Sequence, residues 1–174
     1  MTYIDKFITI IDGISEVTAS VIIYLVVILT AVLGYEILAR YAFNNPTKWA
    51  FDVSYMIGGT FFLFGEAYAL KYQRHVRIDI FYCRFSPRMR ASVDVVFYLL
   101  FFFPLWIGML IYLYPYVLFS WAVQERSMQS YWQPLLYPFK TLMPIGVFLL
   151  LLQGAADFLR RLMIALGKDM AHES

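Results

Sequence analysis

The sequence contains one cysteine, Cys83, and two histidines, His75 and His172, among 174 residues. One thiol makes no disulfide and no Cys-x-x-Cys redox pair, and these three residues supply no multi-ligand zinc site. Charge is scarce as well: Asp, Glu, Lys and Arg make up 15% of the chain, where a soluble domain uses roughly a quarter to coat its surface. A net charge of +2 is too small for a nucleic-acid binder that lives on phosphate contacts. There is no repeat of domain-building length and no low-complexity tract. What is present in excess is apolar: 61% hydrophobic residues, 20% aromatic, and a mean hydropathy of +0.66. Such a chain has lipid as its solvent, and in lipid a backbone that satisfies itself within one segment is helical. The composition therefore predicts a single all-α, integral membrane domain over residues 1–174.

Four apolar stretches divide it. Val17 to Tyr35 is nineteen residues without a charge, about 28 Å of helix, which matches the hydrocarbon core. Val53 to Leu70 carries one charge, Glu66. Val95 to Gln124 is uncharged for thirty residues, about 45 Å if straight, so it must tilt, kink or project, and Pro104 and Pro115 predict distortion within it. Thr141 to Ala156 is short, but Lys140 and Arg160 can snorkel from its ends. The predicted membrane helices cover about 17–39, 53–71, 87–123 and 138–162. Ser86-Pro87 reads as an N-cap followed by proline at the first helical position. Asn44-Asn45-Pro46-Thr47, Gln133-Pro134 and Tyr137-Pro138 mark the two loops on the other side.

Residues 1–16 carry Asp5, Asp12 and Glu16 beside Lys6, with no cleavage site after the apolar run, so they do not read as a signal peptide. Ile4, Phe7, Ile8, Ile11 and Ile14 recur at helical spacing, which predicts an amphipathic leader lying flat in the interface; a plain extension of the first helix is the alternative. Basic residues set orientation. Lys6, six cations between the second and third helices (Lys71, Arg74, Arg77, Arg84, Arg88, Arg90), and Arg160, Arg161 and Lys168 make ten on one side, against Arg40, Lys48, Arg126 and Lys140 on the other. Both termini are thereby predicted to be cytoplasmic, with Trp49, Trp121, Tyr131 and Trp132 at the outer interface, where amphipathic rings prefer to sit.

An ionisable side chain near hydrocarbon is costly and calls for a reason. Glu36 and Arg40 lie one turn apart, in geometry for an ion pair that either fixes helix depth or meets a partner subunit. Glu66 falls five residues before Lys71 and could accept a proton or an ion; with Lys71 and Arg74 one and two turns away it reads rather as a snorkelling or paired carboxylate. In an extended segment His75, Arg77 and Asp79 share one face, a docking or lipid-headgroup element. The loop with Glu125, Arg126, Tyr131 and Trp132 mixes charge with aromatics, which suits either a periplasmic partner or interfacial anchoring. No histidine lies within a span, which excludes a haem subunit and intramembrane serine proteolysis. The midsections of the first and fourth spans carry no ionisable residue for a solute site. The chain reads as a scaffold, not an enzyme.

The same residues carry a family resemblance. Tyr35-Glu36, Arg40-Tyr41, Phe43-Asn44, Pro46-Thr47, Trp49 and Asp52 come first. His75-Val76-Arg77-Ile78-Asp79, Ser86-Pro87-Arg88, Glu125-Arg126-Ser127, Pro134, Pro144-Ile145-Gly146 and Gln153-Gly154 follow in order across nearly the whole chain. Together they resemble the small four-helix membrane subunit of tripartite ATP-independent periplasmic (TRAP) transporters. The acidic position at Asp52 is often glutamate in that family. The resemblance implies a secondary transporter of the bacterial inner membrane that imports small organic acids. Its partners are a large membrane subunit, a periplasmic solute-binding protein and membrane lipids; nucleic acid is not among them. Sodium and substrate are expected in the large elevator-type subunit, with no cofactor in this one, which acts as its brace. Glu36, Arg40, Trp49, Asp52, His75, Arg77 and Asp79 are then candidates for a partner-subunit or lipid interface, and Glu125, Arg126, Tyr131 and Trp132 for contact with the binding protein. The alternative class is a membrane anchor or assembly subunit of a respiratory enzyme.

Overall fold

The structure, a computed structural model, describes residues 3–72 and 85–167 and is helical in all its long elements. Helix α1 spans Tyr3–Tyr41 and α2 spans Ala50–Lys71. Helix α3, Pro87–Phe97, runs through a π-helical turn at Tyr98–Phe102 into α4, Phe103–Ala122. Helix α5 is Tyr137–Ala165. The chain runs up, down, up and down, so the links after α1 and after α4 lie together at one end of the bundle, here the loop end. The starts of α1 and α3 and the ends of α2 and α5 lie at the other, the terminal end.

Helix α5 is the hub: it packs against α1, α2, α3 and α4, while α1 also lies along α2. Three helical rods are long and apolar enough to cross a membrane, Lys6–Tyr41, Pro87–Ala122 and Tyr137–Ala165. None of the most apolar window of the first two is buried within the molecule, against 39% for α5. The expected second span is different. Helix α2 has 22 residues, about 33 Å of helix, but Asp52, Glu66, Gly58, Gly59 and Gly65 keep it out of the strongly apolar group.

The flat leader is corrected. Residues 3–41 form one uninterrupted helix, because no proline interrupts them and the leader has a partner of its own. Ile8 and Ile11 are buried against Ala156, with Leu152, Leu159 and Met163 around them, so the leader's apolar stripe docks on α5 while Phe7 and Ile14 stay exposed. Distortion of the third rod is found one turn ahead of Pro104. That proline has no N–H for the carbonyl four residues back, and its ring crowds that carbonyl. The backbone widens instead, and Phe103 N–H donates to Tyr98 O, the five-residue spacing of a π turn. Pro115 and Pro144 sit inside α4 and α5 without ending them. At Ser86 the expected cap is present: its hydroxyl accepts from Met89 N at 3.3 Å, with Pro87 first in the helix.

Glycines on α5 let neighbours approach closely, as small residues do between membrane helices. A Cβ on Gly146 would stand 3.1 Å from Leu63 Cβ of α2, and one on Gly154 would stand 2.2 Å from the Phe102 ring in the π turn.

Candidate functional site

Polar side chains are concentrated at the two ends of the bundle. At the loop end, Glu36 near the end of α1 accepts from Arg40 Nη2 at 2.6 Å and Nε at 3.0 Å, the i,i+4 pair predicted from spacing. Its other oxygen, Oε2, accepts from Thr47 N at 3.0 Å and from the Thr47 hydroxyl. Thr47 Oγ1 in turn accepts from Ala50 N at 3.3 Å and so caps α2. Glu36 is therefore an internal tether across the α1–α2 turn, where Asn44 takes a left-handed backbone at φ 46°. Arg40 faces outward, with 55% of its side chain exposed. Trp49 precedes α2 and stacks on Tyr35, ring centroids 6.0 Å apart.

Asp52, in the first turn of α2, is 2% exposed. It accepts from Ser127 Oγ at 2.6 Å and from the Ser130 hydroxyl. A buried carboxylate needs such donors, and here both come from the loop at 123–136. That loop is further ordered by Ser127 N to Pro134 O and Leu136 N to Glu125 O, each 2.9 Å, around an antiparallel bridge of Arg126 with Leu135. Glu125 accepts from Lys140 Nζ at 2.7 and 2.6 Å and from Ser120 Oγ at 2.8 Å. Lys140, and then the Ser120 hydroxyl, hold the Glu125 carboxyl below its usual range. Trp121 Nε1 donates to Thr141 Oγ1 at 2.9 Å, joining α4 to α5. Of the four residues proposed to meet a binding protein, Glu125 is thus turned inward, while Arg126, Tyr131 and Trp132 are exposed. Tyr131 is 94% exposed and the neighbouring Met128 97%.

At the terminal end the charges join helix to helix. Arg160 on α5 pairs with Asp12 on α1. Gln153, fully buried, accepts from Ser15 Oγ at 2.7 Å and donates to Asp12 Oδ1 at 3.2 Å. Lys71 donates to Glu16 Oε1 at 2.5 Å and to Asp12 O at 3.2 Å. Arg161 bridges Asp157, at 2.7 Å, and Asp94 of α3, and Tyr98 OH donates to Asp157 Oδ2 at 2.7 Å. Arg160 and Lys140, which can snorkel from the two ends of the last span, each pair with a protein carboxylate. Lys71, five residues beyond Glu66, pairs with Glu16 from α1. His75, Arg77 and Asp79 lie outside the described residues.

Sequence reasoning passed over Asp157, and took Gln153 only as a motif residue and Arg161 only as a cation that sets orientation. Their signal was present: i, i+4, i+8 spacing puts all three on one face of an apolar helix. Asp12 and Ser15, one turn apart on α1, form the matching face.

The arrangement ties a bundle together, and among the described residues no group of three or more His, Cys, Asp or Glu is placed to hold a metal ion. A family model, described as tripartite ATP-independent periplasmic transporters, DctQ component, matches residues 29–163. The chain belongs to that family. The matched segment takes in the Glu36, Asp52 and Glu125 tethers and the buried face of α5, and begins after the leader. A DctQ component is a piece of a transporter and not an enzyme, and its membership leaves the respiratory-anchor alternative without support. A search of the curated proteins found no match. With three apolar rods and this family, the chain is a membrane protein.

Proposed function

We propose that this DctQ-family chain is the stationary small subunit of a sodium-coupled importer of small organic acids in a bacterial inner membrane. In this reading α2 is the fourth span, both termini are cytoplasmic, and the loop end faces the periplasm. The large membrane subunit holds sodium and substrate and moves them, a periplasmic solute-binding protein delivers the substrate, and no cofactor sits in this chain.

One observation carries the reading: most charged side chains near the spans, Glu66 of α2 excepted, are taken up by internal tethers. Asp12, Glu16, Asp52, Asp94, Lys71, Lys140, Arg160 and Arg161 join one helix to another or to the loop, and Asp157 is joined to the π turn through Tyr98. A moving carrier needs broken helices and polar groups at mid-depth. A brace needs fixed depth and mutual rigidity, which paired charges at both ends and exposed aromatic side chains along its length supply. The unburied apolar windows of α1 and of the α3–α4 rod are where lipid and the large subunit can pack.

Co-expression of the large subunit tests this. The two should co-purify in mild detergent, and vesicles holding both with the binding protein should take up substrate, whereas vesicles holding this chain alone should take up none. Uptake by this chain alone overturns the proposal. Replacing residues 128–132 with a Gly/Ser linker should abolish uptake while leaving co-purification intact; full uptake removes the loop from the binding-protein contact.

A further inference from the structure

The α1–α2 turn carries a crevice that none of the tethers fills. It is lined by Leu33, Ile37 and Tyr41 of α1 and by Phe51 and Ser54 of α2, with the Glu36–Arg40–Thr47 tether forming its polar side. Its walls are largely apolar, and on its polar side Arg40 is the more exposed member of the ion pair with Glu36. Arg40 gives Nε and Nη2 to Glu36 and keeps an exposed edge, with Nη1 making no hydrogen bond to a described residue. Glu36 accepts from Arg40 and from both donors of Thr47, which leaves it little capacity for a cation from outside. Lys48, exposed in the same turn, adds positive charge. On the floor of the crevice, the Ser54 hydroxyl is buried with no hydrogen-bond partner among the described residues. Trp49 and Tyr35 stack beside the turn, as aromatic rings do at a membrane–water interface.

We infer that this crevice binds one phospholipid, its phosphate on the free edge of Arg40 and an acyl chain laid along Leu33, Ile37 and Phe51. A guanidinium matches a phosphate with two parallel donors, and an ammonium does not. Glu36 then has a second consequence: by holding Nε and Nη2 it fixes the plane of the guanidinium and aims the remaining edge outward. The apolar walls run in the helix direction, parallel to lipid chains, and charge and chain are recognised by adjacent parts of one cleft. The inference rests on the reading of the loop end as a bilayer interface, but it stands apart from the transport role, which co-purification with the large subunit tests.

The full-length chain in detergent, titrated with phosphatidylglycerol, phosphatidylethanolamine or phosphate-free diacylglycerol and followed by native mass spectrometry, tests it. One phospholipid should be retained per chain, and diacylglycerol should bind at least tenfold more weakly. R40Q should weaken phospholipid retention at least tenfold, and L33W, which fills the apolar part of the crevice and leaves Glu36, Arg40 and Thr47 in place, by a similar factor. K48Q removes the same charge from the same turn and should change retention less than threefold. Unchanged retention in L33W, equal losses in R40Q and K48Q, or diacylglycerol binding as tightly as phospholipid would each overturn the inference. So would a cross-link from position 33 to the large subunit in place of lipid in the assembled complex.

Discussion

The two ends of the bundle are both closed by buried charge, yet they close different things. At the terminal end each tether runs from helix to helix: α1 to α5 through Asp12, Arg160 and Gln153, α2 to α1 through Lys71, and α3 to α5 through Arg161. At the loop end the carboxylates mostly hold backbone that is not helical: Glu36 holds the α1–α2 turn, and Asp52 and Glu125 hold the loop at 123–136. The first set fixes the mutual position of helices, alongside the apolar contact of Ile8 and Ile11 with Ala156. The second fixes the shape of a loop and so presents Met128 and Tyr131 outward. The same chemistry gives rigidity of the body at one end and a defined surface at the other.

The difference can be broken most directly at Arg161. Arg161→Ala removes the guanidinium that bridges Asp94 and Asp157, a change that costs about 3–5 kcal/mol in buried pairs. The thermal midpoint in detergent should fall sharply, and a midpoint equal to wild type would show that the terminal end does not hold the helices. Asp52→Ala removes the acceptor of two serine hydroxyls and should cost about 1.5–3 kcal/mol. Its effect should be local: amide exchange should rise across 126–136 while α3 and α5 stay protected near Asp94 and Asp157, and exchange that rises equally everywhere would erase the distinction between the ends. Gly154→Ala sharpens the packing side, since its new methyl must displace the Phe102 ring of the π turn, at about 1–3 kcal/mol for an overpacked contact.

A smaller, pH-dependent effect is expected at Glu125. Its carboxyl is held below the ordinary range, so its tether is fully present above the unfolded value of about 4.3 and is lost as pH falls through the lower folded value. Wild type should lose stability on acidification below about 4.3, and Glu125→Gln should show a shallower loss over the same window. Smallest of all should be the coupling between the ends. Arg161→Ala and Asp52→Ala share no partner, so their effects should add to within about 0.5 kcal/mol; a larger interaction would mean that the two ends act as one unit.

Much of this was legible in the residues. The Glu36–Arg40 pair and the Ser86-Pro87 start of α3 each depend on neighbours within one or two turns, where spacing alone places side chains. The inward turn of Glu125 was not legible, because Lys140 lies fifteen positions away and only the fold of the loop brings it back. The leader was misjudged for a similar reason: an amphipathic helix has the same pattern whether its apolar stripe meets lipid or another helix.

Composition and hydropathy determined that this is a helical membrane protein, because long uncharged runs have only one favourable solvent and one way to satisfy their backbone there. The order of motifs carried its family. The tertiary structure alone decided that α5 is the hub, that α1 runs unbroken from the leader, and which acid holds which base. Those outcomes depend on contacts between residues far apart in the chain, down to Asp12 with Arg160, and no local periodicity encodes them.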